Sequence, residues 1–221
     1  MRVKRKKHLK ERLDAVSDYI IVCEREIVNV LEAIKDKRII DFQNVFLNDN
    51  PVCLEVGCGK GGFIARMATN HPEKNFLAAE LLDSIIVAAA ELVQKKDLEN
   101  VRFMNTGAEY LPRYIKDGSI SEIYLNFSPP YPAKSYENRR LTNSRYLQVF
   151  YSMLTPSGVI YQKTDDRDFF DYSVKKYIEN GFKVQTLSDG DDLDFIRIKT
   201  EYEEKFLQMG LNIFRLKATK I

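Results

Sequence analysis

The chain alternates short apolar runs with longer segments in which apolar residues recur every three or four positions. The run Val52–Val56 is apolar apart from one glutamate and predicts a buried strand. A helical segment follows at 61–70, then a strand at 75–80 and a helix at 83–96. The pattern continues with strands at 101–104, 120–127, 158–163, 182–187 and 212–218, and with helices at 142–154, 166–180 and 199–209. This alternation predicts an α/β fold with a doubly wound, mostly parallel sheet.

The first 50 residues have a different pattern. Apolar side chains between residues 18 and 37 have helical spacing and predict a helix that flanks the main sheet. A polar stretch then ends at Pro51. We therefore predict two parts: a basic N-terminal arm with a flanking helix over 1–50, and the main domain over 51–221.

Composition narrows the class of protein. With 221 residues, 44% apolar and 30% charged, the chain is predicted to be a soluble globular protein with one full core. No run of 18 uncharged apolar residues predicts a membrane span, and no apolar signal core follows the basic start, so we expect a cytoplasmic protein without membrane contact. The three cysteines and two histidines lack the spacing of a zinc site, so we expect no metal.

Charge is unevenly distributed although the net charge is only +2. Residues 1–13 carry seven lysines and arginines against one acid, Glu11. Such an arm suits the phosphate backbone of a nucleic acid.

A glycine turn follows the first buried strand. Gly57, Gly59 and Gly62 fit the dinucleotide-binding spacing, whereas Gly57, Gly59 and Gly61 fit the spacing of methyltransferases. Glu55, two residues before the first glycine, favours the second reading. A carboxylate there repels a pyrophosphate but can pair with an ammonium group.

The turn together with Glu55 resembles motif I of the class I methyltransferases. This resemblance implies a Rossmann-like, seven-stranded sheet with an antiparallel last strand, and S-adenosyl-L-methionine as cofactor. It implies that Glu55 binds the methionine ammonium and that Gly57 and Gly59 shape the turn. Glu80, at the end of the second predicted strand, is expected to bind the ribose hydroxyls.

A second stretch with chemical potential follows the strand at 120–127. It reads Asn-Phe-Ser-Pro-Pro-Tyr-Pro from Asn126 and continues into a basic loop. Asn126 and Ser128 are expected at the edge of the methyl site, and Tyr131 can stack on a base. Lys134, Arg139 and Arg140 are expected to hold phosphates.

This loop, the Lys-Thr-Asp block at 163–165 and the block Thr-Glu-Tyr-Glu-Glu-Lys-Phe at 200–206 resemble the bacterial tRNA (guanine-N7-)-methyltransferases. The resemblance covers nearly the whole chain. It implies tRNA as partner, a variable-loop guanine as target, and a monomer or homodimer. The implied catalytic residues are Asn126, Ser128 and Asp165. The implied cofactor-binding residues are Glu55, Gly57, Gly59, Glu80, Leu81, Gly107, Ala108 and Asn126, and the implied substrate-binding residues are Tyr131, Lys134, Arg139, Arg140, Asp165, Thr200 and Glu203.

The chain departs from the family pattern at important positions. Pro129 replaces the aspartate assigned as catalytic, Gly107 replaces an acid near the adenine, and Ala133 replaces a substrate-contacting lysine. Tyr131 and Tyr136 replace a tryptophan and a histidine. Guanine N7 carries a lone pair and no proton, so its methylation needs no general base. Loss of one carboxylate is therefore expected to lower the rate by on the order of 10²–10³ without abolishing binding.

Two alternatives remain open at this stage. Ser-Pro-Pro-Tyr at 128–131 also resembles motif IV of the amino-methyltransferases that act on adenine N6 or cytosine N4. A non-catalytic RNA-binding relative would keep the same fold and the same basic segments.

Overall fold

The computed structural model describes residues 8–24 and 30–221, and within this part of the chain one sheet of eight strands forms the centre. The strands are β1 (Ile20–Ile21), β2 (Val52–Val56), β3 (Asn75–Glu80), β4 (Val101–Asn105), β5 (Ile120–Asn126), β6 (Leu154–Thr164), β7 (Phe182–Leu187) and β8 (Phe214–Lys220). Their spatial order is β1-β4-β3-β2-β5-β6-β8-β7. The pairs from β1 to β6 are parallel, whereas β8 is antiparallel to both β6 and β7. The predicted doubly wound fold with an antiparallel last strand is confirmed, with one more strand than expected.

The helices follow the predicted alternation closely. They are α1 (Leu9–Ala15), α2 (Val30–Ala33), α3 (Phe42–Phe46), α4 (Gly62–Asn70), α5 (Asp83–Lys95), α6 (Leu111–Tyr114), α7 (Ser144–Met153), α8 (Arg167–Glu179), α9 (Asp194–Arg197) and α10 (Glu201–Gln208). Local chemistry sets several ends. The side chain of Asp166 accepts a hydrogen bond from the Phe169 N–H at 2.8 Å and caps the start of α8. Gly181, with a φ of +83°, follows its end.

Two apolar cores cover the two faces of the sheet. Leu54 and Leu125 pack with Phe150 of α7 and Phe170 of α8, whereas Phe76 on the other face belongs to the core formed with α4 and α5. Side chains that alternate along each strand supply both cores, because successive residues of a strand point to opposite faces.

The predicted helix at 18–37 is wrong. Ile20 and Ile21 form an edge strand that pairs in parallel with Phe103 and Met104 of β4, and among the described residues of this range the α-helix is α2, Val30–Ala33. Residues 25–29 of the predicted helix, and residues 1–7 of the predicted basic arm, lie outside the described residues. The backbone of this segment pairs with the edge of β4. The periodicity of apolar residues cannot reveal such a tertiary partner.

The topology locates the place where a ligand can bind. Strand β2 lies between β3 and β5, and the chain leaves β2 towards one side of the sheet and returns on the other. Ligands of open α/β sheets bind at such a reversal, outside the carboxyl ends of the strands. Across 8–24 and 30–221, no helix is long and apolar enough to cross a membrane.

Candidate active site

The glycine turn connects β2 to α4 in a conformation that leaves its backbone open. The N–H groups of Gly57 and Cys58 donate to the carbonyl of Ala79 at 2.8 and 3.2 Å, which ties the turn to β3. Gly57 and Gly59 have φ values of +79° and +55°, and a Cβ at either position would meet no atom within 4 Å. This is the open approach that a bound nucleotide requires. Gly61 serves packing instead, because a Cβ there would lie 2.8 Å from the Cβ of Ala89 in α5.

Glu80 lies at the end of β3, as predicted, and its carboxylate is held by backbone groups. Its Oε1 accepts hydrogen bonds from the N–H groups of Leu81 and Leu82 at 2.8 and 3.0 Å. Its Oε2 accepts from the N–H of Gly59 at 3.3 Å. These bonds fix the half-buried carboxylate between the glycine turn and the start of α5, where its remaining lone pairs can accept from two hydroxyls.

Glu55 and Asn126 meet across β2 and β5. The Asn126 Nδ2 donates to Oε1 of Glu55 at 2.9 Å, and Glu55 is only 2% exposed. Within the described ranges, the buried Glu55 Oε2, Asn126 Oδ1 and Ser128 Oγ have no hydrogen-bond partner. Burial raises the pKa of Glu55 to about 8, although the bond from Asn126 opposes this shift. The unpartnered Oε2 of the buried Glu55 and Oδ1 of Asn126 are two acceptors suited to a cationic group.

A cavity of about 390 Å³ opens in front of these atoms. One wall is the glycine turn with Phe63 and Ile85, and the other comes from the start of α10. Its lining residues are Glu55, Gly57, Cys58, Gly59, Lys60, Gly62, Phe63, Ile85, Asn126, Phe127, Thr200, Glu201, Tyr202 and Lys205. The structure therefore brings Glu55, Gly57, Gly59, Asn126 and Thr200 of the predicted set to one cavity.

Gly107 and Ala108 follow β4, at the same edge of the sheet. An ideal Cβ on Gly107 would lie 2.8 Å from Oε2 of Glu109, so this carboxylate occupies the space of a side chain at position 107. Ala108 is buried. Glu109 was not among the predicted site residues, although this acid lies two residues after Gly107, where the family has an acid.

The Ser-Pro-Pro-Tyr loop is held in an unusual backbone conformation. Phe127 and Tyr131 flank it with φ values of +50° and +42°, a region that side chains other than glycine rarely adopt. Arg140 fixes the loop, because its Nε donates to the Pro130 carbonyl at 2.8 Å and its Nη2 to the Tyr131 carbonyl at 3.1 Å. Its guanidinium also lies over the ring of Tyr172 at 4.3 Å. Arg140 thus supports the loop from within, and the phosphate contact expected of it stays a prediction.

The other predicted phosphate contacts lie at the surface. Lys134 and Arg139 are exposed, and the Arg139 guanidinium lies over the Tyr136 ring at 4.6 Å. From the N-terminal arm, Arg12 pairs with Glu91 of α5 at 2.6 Å. Asp165 follows β6 directly and is exposed, but it does not line the cavity.

Thr200 and Glu203 form a capping box at the start of α10. The Thr200 Oγ1 accepts from the Glu203 N–H at 3.0 Å. Glu203 is fully buried, and its two oxygens pair with Lys163 Nζ at 2.7 Å and Arg215 Nη2 at 2.8 Å. The predicted substrate contact of Glu203 therefore does not match its place in the fold. Lys163 was not predicted as the partner of Glu203. The feature that indicates such a role is a lysine near the end of a buried strand.

No group of three or more His, Cys, Asp or Glu side chains in the described ranges can hold a metal ion. The arrangement instead combines an open glycine turn, a fixed carboxylate at Glu80 and an acceptor cluster at Glu55. The fit is to a ligand with a ribose at one end and an ammonium at the other.

Solved structures share this fold. The 16S rRNA methyltransferase KamB matches with a TM-score of 0.61 at 16% identity over 81% of this chain and 92% of that one. A 30S ribosomal A1408 methyltransferase from an uncultured bacterium matches with a TM-score of 0.58 at 14% identity over 91% and 98%. Fold and site together define a class I, S-adenosylmethionine-dependent methyltransferase.

Sequence comparisons give the family. The family described as "Putative methyltransferase" matches residues 49–216. The tRNA (guanine-N(7)-)-methyltransferase of Geobacillus thermodenitrificans is 36% identical over 100% of this chain and 98% of its own. That of Listeria monocytogenes is 38% identical over 99% and 98%, and that of Bacillus licheniformis 41% over 80% and 84%. The chain belongs to the tRNA (guanine-N7-)-methyltransferase family.

Proposed function

We propose that this protein transfers a methyl group from S-adenosylmethionine to N7 of a guanine in the variable loop of tRNA. The observation that carries the proposal is the cluster of two unpartnered acceptors, Glu55 Oε2 and Asn126 Oδ1, in the cavity beside the open glycine turn. The cluster suits the ammonium of the cofactor's methionine part. The named relatives supply the tRNA guanine as substrate.

The chain's own residues hold the cofactor in this proposal. Glu55 and Asn126 bind the methionine ammonium, and Gly57 and Gly59 let the backbone approach. Glu80 accepts from the ribose hydroxyls, with Leu81 beside it. Gly107 and Ala108 lie along the adenine, where the Glu109 carboxylate takes up the space of the missing side chain at 107.

The chemistry asks for alignment. S-adenosylmethionine supplies an electrophilic sulfonium methyl. The lone pair of guanine N7 forms the new C–N bond while the S–C bond breaks, and no proton has to be removed. The main contribution of the protein is to hold the two groups in line. Asn126 and Ser128 border the place where they meet.

In this proposal, residues outside the cavity lining and Thr200 at the start of α10 bind the target base and the RNA backbone. Tyr131 packs against the base, and Asp165 and Thr200 lie at the carboxyl edge on the same side. Lys134 and Arg139 are exposed and reach phosphates. A protein with this substrate works where tRNA is, so we infer a cytoplasmic location.

Methyl transfer to unmodified tRNA tests the proposal. Labelled S-adenosylmethionine reports transfer, and cleavage of the product by borohydride and aniline reports 7-methylguanine. We expect both signals. Transfer without cleavage would contradict the N7 assignment, and nucleoside mass spectrometry would then identify the product.

One observation favours a second function. Pro129 stands where the family has its catalytic aspartate, and the resulting Ser-Pro-Pro-Tyr loop presents unpartnered oxygens from Asn126 and Ser128. Such acceptors also suit an exocyclic amine of adenine or cytosine. Binding of tRNA without any transfer would instead indicate a non-catalytic RNA-binding relative.

A further inference from the structure

A buried ionic cluster lies directly behind the cavity. Lys163 and Glu203 have no exposed surface and Arg215 is 3% exposed. Glu203 Oε2 lies 2.7 Å from Lys163 Nζ, and Glu203 Oε1 lies 2.8 Å from Arg215 Nη2. The Lys163 Nζ also donates to the Ile198 carbonyl at 3.0 Å. One carboxylate on α10 is therefore held by two cations from the sheet.

The sheet register places these cations next to the site. Asn126 of β5 is opposite Lys163 of β6, and Lys163 is opposite Arg215 of β8. The Phe127 N–H donates to the Lys163 carbonyl at 2.9 Å. The row that begins with the Glu55 partner Asn126 thus continues into the cations that hold α10.

Helix α10 has one buried ionic contact, at Glu203, beside exposed ion pairs from Lys60 to Glu201 and from Arg66 to Glu204. Of its eight described residues, Glu203 is the one that is buried, and the apolar Phe206 and Leu207 are only partly covered. Thr200, Glu201, Tyr202 and Lys205, which form one wall of the cavity, are all at this helix or its cap. The ring of Phe206 lies 5.6 Å from that of Phe127, and the fully buried contact of the helix is the ionic one at Glu203.

We propose that Lys163 and Arg215, acting through Glu203, are positioning residues that hold α10 as the wall of the cofactor cavity. Glu203 in this arrangement touches neither cofactor nor RNA. The inference rests on the proposed function only in that the cavity binds the cofactor.

The expected effect follows from the physics of buried ion pairs. Removal of one partner leaves an uncompensated charge, whereas neutral residues of similar volume in place of both partners are tolerated. Lys163→Met leaves Glu203 Oε2 without its cation while Arg215 still pairs with Oε1, so α10 should be held less firmly. Neutral residues at all three positions, Lys163→Met with Glu203→Gln and Arg215→Met, leave no buried charge in the cluster and should restore part of the position of α10. The matched control is Glu204→Gln, the same change at the next, exposed residue of the same helix.

The experiment measures three quantities on each full-length variant. Calorimetry gives the Kd of S-adenosylhomocysteine without RNA, amide exchange gives the protection of residues 200–208, and a filter assay gives the Kd of tRNA. We expect Lys163→Met to raise the cofactor-product Kd about tenfold or more and to speed exchange in 200–208. The tRNA Kd should stay within about twofold, and the variant with all three charges removed should recover in both affected readouts.

Two results would overturn the proposal. One is a Lys163→Met protein with unchanged Kd and unchanged exchange in α10. The other is a Glu203→Gln protein that loses tRNA affinity alone, which would indicate a direct substrate contact. If Lys163→Met does not fold, the milder Lys163→Gln, which keeps a hydrogen-bond donor towards Glu203, is measured against Glu204→Gln with the same criteria. Failure of tRNA methylation by the unaltered protein would contradict the proposed function but leave these readouts intact.

Discussion

Two buried glutamates on opposite sides of the cavity have contrasting surroundings. Glu203 has a cation on each oxygen, whereas Glu55 has one asparagine bond and one oxygen without a partner in the described structure. Burial raises the pKa of Glu55 to about 8, although the hydrogen bond from Asn126 and the charge of Lys163 oppose this shift. The fold supplies a cationic partner for each oxygen of Glu203, whereas Glu55 keeps one oxygen available to bind a ligand.

The largest expected effect is on stability. Glu203→Ala leaves Lys163 and Arg215 buried without their shared anion, which typically costs about 3–5 kcal/mol of unfolding free energy. Urea unfolding of the cofactor-free protein measures this. A loss below about 1 kcal/mol would mean that Glu203 is no more integral to the fold than Glu55.

Glu55→Gln should have the opposite sign in the cofactor-free protein. The pKa of Glu55 is raised from 4.5 to about 8 on folding, so the folded state binds the extra proton and the stabilisation is lost as pH rises towards 8. Glutamine cannot ionise, and the variant should gain melting temperature over the unaltered protein progressively across that range. Parallel melting profiles, as expected for the exposed control Glu204→Gln, would contradict the raised pKa.

The same carboxyl should report ligand binding through protons. A cationic ligand favours the ionised form, so binding below pH 8 should release a proton from Glu55. Calorimetry of S-adenosylhomocysteine binding in buffers of different ionisation enthalpy measures the release. Glu55→Gln should abolish it, and a release that persists in the variant would assign it to another group.

Glu80→Ala should weaken cofactor binding by about tenfold to a hundredfold, because charge-assisted hydrogen bonds are worth about 1.5–3 kcal/mol. The Kd of S-adenosylhomocysteine is the readout. An unchanged Kd would remove Glu80 from the site.

Pro129→Asp adds a carboxylate at the exposed tip of the loop. A charge near the transferred methyl should raise turnover on tRNA by on the order of tenfold. Pro129→Asn is the matched control, since it has the size and polarity without the charge. Unchanged or lower turnover with Asp would favour a loop that serves another acceptor amine.

The smallest effect concerns the surface. Arg139→Ala should weaken tRNA binding a few-fold and reduce the slope of log affinity against log salt by about 0.7–0.9. Arg140→Ala is measured in the same way and is also assayed for methyl transfer. It should lose turnover as well, because Arg140 holds the Pro130 and Tyr131 carbonyls. Identical behaviour of the two variants would make both of them phosphate contacts.

Local patterns predicted the parts of the molecule whose partners are close in sequence. The strand, glycine turn and helix from Val52 to Asn70 occur as predicted, and Glu80 lies at the end of β3. The contacts of Glu203 and Arg140 could not be predicted from the sequence. Their hydrogen bonds, to Lys163 and to loop carbonyls respectively, form only when the sheet is assembled. The strand at Ile20 and Ile21 was missed for the same reason. Pairing with the edge of β4 determines its conformation, whereas the spacing of apolar residues indicated a helix.

The position of β8 has a consequence for the order of synthesis. Strand β8 lies between β6 and β7 and carries Arg215 into the ionic cluster, so β7 has no neighbour and Glu203 lacks one cation until residues 214–220 have left the ribosome. The nascent chain can form the glycine turn and its acceptor cluster much earlier. A wall of the cavity thus becomes fixed only at the end of translation, and a truncated chain is expected to be unable to retain the cofactor.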